Sequence, residues 1–114
     1  MTTLYEIKLK PEANGQVATV FLRWEDPDIH EVTEMSKAFS SQEFAQSFSS
    51  ASPYLQCDVV VVEFAEIMRE SYWAQNSTLA GVLEEAERIS KALPEESQVT
   101  EFVEMVRKAN QIGK

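Results

Sequence analysis

From Pro53 to Ile112 the apolar residues keep three successive helical periods, and this limits the fold more than any other feature of the chain. The stretch "CDVVVVEFAEIMRES", residues 57 to 71, is the instructive one. Its four valines favour a strand, because β-branched side chains suit a pleated surface and lose χ1 freedom in a helix. The residues around them keep a different rhythm. Glu63, Glu66 and Glu70 fall at i, i+3 and i+7, while Val60, Phe64 and Ile67 with Val61, Ala65, Met68 and Tyr72 fill the remaining face. Ser52 is placed as an N-cap and Pro53 as a first-turn proline, and a pattern running to about Trp73 is too long for an ordinary strand. Each valine loses only about a few tenths of a kcal/mol in helix propensity, whereas burying its side chain contributes about 1.5 kcal/mol or more. A helix is predicted.

Two more follow. In "NSTLAGVLEEAERISKALP" the seam Leu79, Val82, Leu83, Ala86, Ile89 and Leu93 opposes Glu84, Glu85, Glu87, Arg88 and Lys91. Ser77 or Thr78 caps its start, Pro94 marks its end, and Glu84 with Arg88 and Glu87 with Lys91 are i, i+4 pairs. The segment over about 96 to 111 repeats the scheme with Val99, Phe102, Val103, Val106 and Ile112, and Gly113 ends it.

The first third of the chain keeps a period of two. Tyr5, Ile7 and Leu9 alternate with Glu6, Lys8 and Lys10, which predicts a half-buried strand, and Asn14–Gly15 after Pro11 predicts a reversal. "VATVFLRW", residues 17 to 24, predicts a second strand with Ala18, Val20, Leu22 and Trp24 on one face. Phe21 on the other face is then a large apolar group that something must cover. "EDPDIHE" reads as a polar turn, and a short third strand is expected around Val32. Ser40 and Glu43 fit a capping box, so a short helix over about 41 to 48 is expected, with Phe44 and Phe48 one turn apart. The predicted architecture is α+β, an N-terminal antiparallel sheet of two or three strands followed by a three-helix bundle. It is read as one domain over 1 to 114, with a β part at 1–35, a connection at 36–52 and a helical part at 53–112.

Nineteen acidic against ten basic residues give a net charge of −9, which disfavours a nucleic-acid backbone or an anionic membrane surface as partner. Cys57 is the only cysteine, so neither an intrachain disulfide nor a multi-cysteine zinc site is available. "MTTLYEIKLK" has no basic region followed by an apolar run, and its direct entry into an alternating pattern suggests a cut at a domain edge.

Candidate chemistry is sparse. Glu25, Asp26, Asp28, His30 and Glu31 crowd into one turn, and Asp26, Asp28, His30 and Glu31 are the candidate ligands for a divalent cation, without the spacing or glycine of an EF-hand. A solvated acidic turn is the plainer reading. Cys57 and His30 are far apart in sequence, no catalytic grouping stands out, and no glycine-rich loop is present to cradle a phosphate. No cofactor is expected. Phe21, Glu63, Glu66 and Glu70 are the candidate interaction surface, and Tyr72 and Trp73 are expected to close the core.

"LYEI", "ATVFLRW", "VVVVEFAEIMRES", "TLAGVLEEAERISKAL" and "EFVEMVRKA" together resemble the C-terminal domain of unknown function that follows the A domain in bacterial von Willebrand factor type A proteins. The resemblance spans about 5 to 25 and 52 to 112. Asp58 replaces a small apolar residue of the family, the valine run replaces an alanine-rich stretch, and 36 to 51 has no counterpart. The resemblance implies a non-enzymatic accessory or interaction domain whose partner is the upstream A domain or another protein. It also implies an exported or envelope-associated bacterial parent. The A domain's Asp-x-Ser-x-Ser signature is absent from these residues. The alternative function is a cation-binding or catalytic module built on the acidic loop 25 to 31.

Overall fold

The computed structural model describes residues 2 to 113. Tyr5–Ala45 form one compact unit, and the described residues before Tyr5 together with the chain from Gln46 on form another.

The first unit is a two-stranded antiparallel hairpin, β1 (Gln16–Glu25) with β2 (Val32–Ser40). The sheet of two or three strands is thus a sheet of two, and the strands are not the expected first pair. Residues 5 to 10 join no ladder. Their alternation records which side chains share a side, and a strand also needs a backbone to pair with. The chain turns at Pro11 and Glu12, ahead of the predicted reversal at Asn14–Gly15, with Ala13 N–H donating to the Lys10 carbonyl at 3.1 Å, and the hairpin itself reverses later, through residues 26 to 31. β2 is longer than expected because both of its faces are wet, so polar residues on either side do not break it. Trp24 stands opposite Thr33, Leu22 opposite Met35, Val20 opposite Lys37 and Ala18 opposite Phe39, with an irregularity between Gln16 and Ala18.

The predicted helix over 41 to 48 is replaced by two single 3-10 turns, Ser41–Glu43 and Phe48–Ser50. The Ser40–Glu43 capping box is present, Ser40 N–H reaching Glu43 Oε2 at 2.8 Å. Ser47 and Ser50 form a second one. Serine hydroxyls that satisfy local backbone groups compete with continued helix, which is why the turns stop after three residues.

The second unit contains α1 (Pro53–Met68), α2 (Leu79–Ala92) and α3 (Ser97–Ile112). Its core is Val60, Val82, Ala86, Ile89, Leu93, Val99, Val103 and Val106, with Cys57, Phe64, Ile67, Leu83 and Phe102 packed against it. Pro53 opens α1 as predicted, although Ser52 makes no side-chain cap. Thr78 caps α2 through Gly81 N–H at 3.1 Å. Gly113, with φ of 83°, ends α3 in the left-handed region.

α1 stops five residues short of Trp73. Glu70 N–H donates to the Ile67 carbonyl, Ser71 N–H donates to the Glu66 carbonyl, and Glu70 has φ of 54°, which together make a Schellman ending. A 3-10 turn, Tyr72–Ala74, follows, its Trp73 N–H held by Ser71 Oγ. The predicted i, i+4 ion pairs are also redistributed. Arg88 pairs with Glu85 one turn earlier, and Glu87 reaches across to Arg107 on α3 at 2.8 Å.

Candidate functional site

The acidic turn is organised by its own backbone. Asp26 Oδ1 accepts the N–H groups of Asp28 at 2.9 Å and Ile29 at 3.2 Å, an Asx arrangement that fixes the reversal. His30 has φ of 55°, its N–H donates to the Asp26 carbonyl, and its ring meets Glu25 Oε1 at 2.8 Å. Asp28 and Glu31 do not join these groups as a ligand set. Among the described residues no three His, Cys, Asp or Glu side chains gather to hold a metal ion.

Cys57 is half-buried on α1. Burial and then the neighbouring Asp58 carboxylate push its thiol above the ordinary value, so it holds its proton at neutral pH and is a poor nucleophile.

The three glutamates of the stripe sit in different local settings. Glu63 accepts the Ser77 hydroxyl at 2.6 Å, tying α1 to the segment that leads into α2. Glu66 pairs with Arg69 at 3.0 Å. Glu70 lies beyond the helix, in its left-handed terminal residue.

The apolar surface is more distinctive. No described residue of the hairpin unit is buried. Phe21 is 69% exposed, and Leu22, Trp24 and Met35 are exposed on the opposite face. Tyr5 and Ile7, although unpaired, join Val20, Phe21, Phe39 and Phe44 around an apolar depression of about 490 Å³. Lys37 Nζ stands 4.8 Å from the Phe39 ring centre, a cation–π distance. Phe44 and Phe48 are exposed, so they do not close a core.

In the helical unit, Tyr72 and Trp73 do not close the core as the sequence predicts. Instead Trp73 is 80% exposed, and its ring meets Tyr72 edge to face with centroids 5.5 Å apart. The early end of α1 carries them out of the helical period that would have turned them inward. Val61, Ala65 and Met68 likewise face solvent, and only Val60 of the four valines is buried. Periodicity identified the helix but not which of two apolar faces its neighbours cover.

A two-stranded hairpin followed by three helices, with apolar side chains turned outward on the hairpin and on α1, is an α+β fold. Over residues 2–112 the chain matches the family described as "Uncharacterized protein YfbK, C-terminal", and it belongs to that family. Neither a curated protein nor a solved structure matches it.

Proposed function

We propose that this chain is a non-enzymatic protein-interaction domain of a bacterial von Willebrand factor A-type protein, and that its hairpin packs against the A domain. The observation that carries the reading is the hairpin's two apolar wet faces, with Phe21 on one and Leu22, Trp24 and Met35 on the other. An isolated two-stranded hairpin is marginal in water, and fully burying one such side chain contributes about 1.5 to 3 kcal/mol, so covering several would stabilise it substantially. The resemblance over residues 5 to 25 and 52 to 112 supplies the A domain as occupant, and with it an exported or envelope-associated parent.

Calorimetric titration of the chain into the A domain of its own parent and into an unrelated A domain tests this. The expected result is binding to the first only, lost on Phe21→Ser or Leu22→Ser. Equal binding to both A domains would remove the proposed partner.

A further inference from the structure

α1 is the least amphipathic of the three helices, because it carries a second apolar stripe besides the one in the core. Tyr54, Val61, Ala65 and Met68, with the charged Asp58 between the first two, recur at alternating spacings of four and three, the a/d spacing of a helix that packs on another helix. All but Asp58 are exposed. The same spacing recurs on α3 at Gln98, Phe102, Met105, Ala109 and Ile112. Met105 is 56% exposed.

The first turns of the two stripes line one groove, with Tyr54, Asp58 and Val61 from α1 and Gln98 and Phe102 from α3. Tyr54 on the first turn of α1 donates its hydroxyl to Glu96 Oε1 at the start of α3, at 2.9 Å, and further along Phe64 meets Phe102 edge to face at 5.6 Å. The helices therefore run in the same sense, each packed mainly on α2 and much less on the other. The cleft between them, of about 280 Å³, is lined by Cys57, Val61, Val99 and Phe102, and its only charged lining residues are Asp58 and Glu96. The N-termini of α1 and α3 lie at this end and carry about half a positive charge each, less than the two full carboxylate charges beside them.

We infer that this groove seats an amphipathic helix of another protein, apolar side inward, with lysine or arginine side chains at the Asp58–Glu96 end. Heptad-spaced stripes on two parallel helices present the holes that a fourth helix fills. The acidic lining selects a basic occupant. A second copy of this chain would bring another net charge of −9 to the same surface, which argues against self-pairing. The inference goes beyond the hairpin reading and would stand if the A domain failed to bind.

The test uses the full chain and a fluorescent synthetic helix of about eighteen residues, long enough to lie along α1, with leucines at a and d and lysines elsewhere. A second peptide replaces the lysines with glutamates. Anisotropy should show the lysine peptide alone binding. Val61→Asn or Met105→Gln, each checked by circular dichroism for retained helix, should weaken it by about tenfold. Asp58→Asn with Glu96→Gln should weaken it as well and flatten its salt dependence. No binding, or binding unchanged by Val61→Asn and Met105→Gln, would overturn the inference. So would sedimentation of the wild-type chain as a dimer that Val61→Asn dissociates, since the occupant would then be a second copy.

Discussion

The Gln56 side-chain oxygen accepts the Arg88 guanidinium at 2.6 Å, joining the first turns of α1 to the second half of α2. Among the described residues Gln56 is the one polar side chain at a buried position, 3% exposed, and its amide nitrogen donates to the carbonyls of Ala51 at 2.7 Å and Ser49 at 3.3 Å. A single side chain thus holds the segment entering α1 against the bundle. Gln56→Leu leaves those carbonyls and Arg88 without this partner, and an unsatisfied buried polar group costs about 1 to 3 kcal/mol. Urea unfolding followed at the helical circular-dichroism band should show a loss in that range. A loss below experimental error would mean that water replaces Gln56 freely.

The same urea experiment separates the two faces of α1 and α2. Ile89 is among the most fully buried side chains, whereas Val61 is 41% exposed. Ile89→Ala should cost about 2 to 5 kcal/mol through lost transfer energy and a residual cavity. Val61→Ala should cost less than about 1 kcal/mol, because its side chain is already largely in water. Similar losses for both would mean that α1 is rotated from the orientation described.

The helices were legible for a physical reason. Leu79, Val82, Ala86 and Ile89 alternate with charges strongly enough that only one face can be buried, and Thr78, Pro94 and Gly113 mark the ends. α1 was legible as a helix but not in its orientation, since a residue apolar on two sides does not say which side has a neighbour. The hairpin was half-legible. Residues 17 to 24 alternate clearly, but strand pairing is non-local, so nothing around Tyr5 or Ile7 revealed that β1 pairs only with β2. The candidate surface at Phe21 could be read from one exposed-face residue. The groove could not, because Val61 and Phe102 are brought to one cleft only by the packing of both helices on α2.

The acidic turn gives a prediction about metal. With Asp26 Oδ1 occupied by two backbone N–H groups and Glu25 by His30, millimolar calcium or magnesium should leave the melting temperature unchanged. Asp26→Ala should instead speed hydrogen exchange of the Asp28 and Ile29 amides, as the loss of two bonds to a carboxylate requires. A cation-dependent rise in melting temperature that Asp26→Ala abolishes would revive the cation-binding alternative.

Alkaline pH should act through two groups that line the α1–α3 groove. The Tyr54 hydroxyl donates to Glu96, and that bond with the nearby negative charge raises the phenol above its ordinary 10.0. Burial, followed by Asp58, raises the Cys57 thiol above its ordinary 9.0. In both cases the folded state prefers the neutral form, so the contribution to stability is complete below the unfolded-state value and is lost as pH rises through the folded-state value. Melting temperature should therefore be insensitive to these groups at neutral pH. It should fall as the pH climbs past 9.0 and 10.0 in turn. Tyr54→Phe combined with Cys57→Ala should reduce that alkaline fall. Alkylation by iodoacetamide gives an independent reading of the thiol, since only the thiolate reacts: its midpoint should lie above 9.0 in the folded chain and move down when Asp58→Asn removes the neighbouring charge. A midpoint at or below the ordinary value would place Cys57 in a different environment from the half-buried, acid-flanked position on α1.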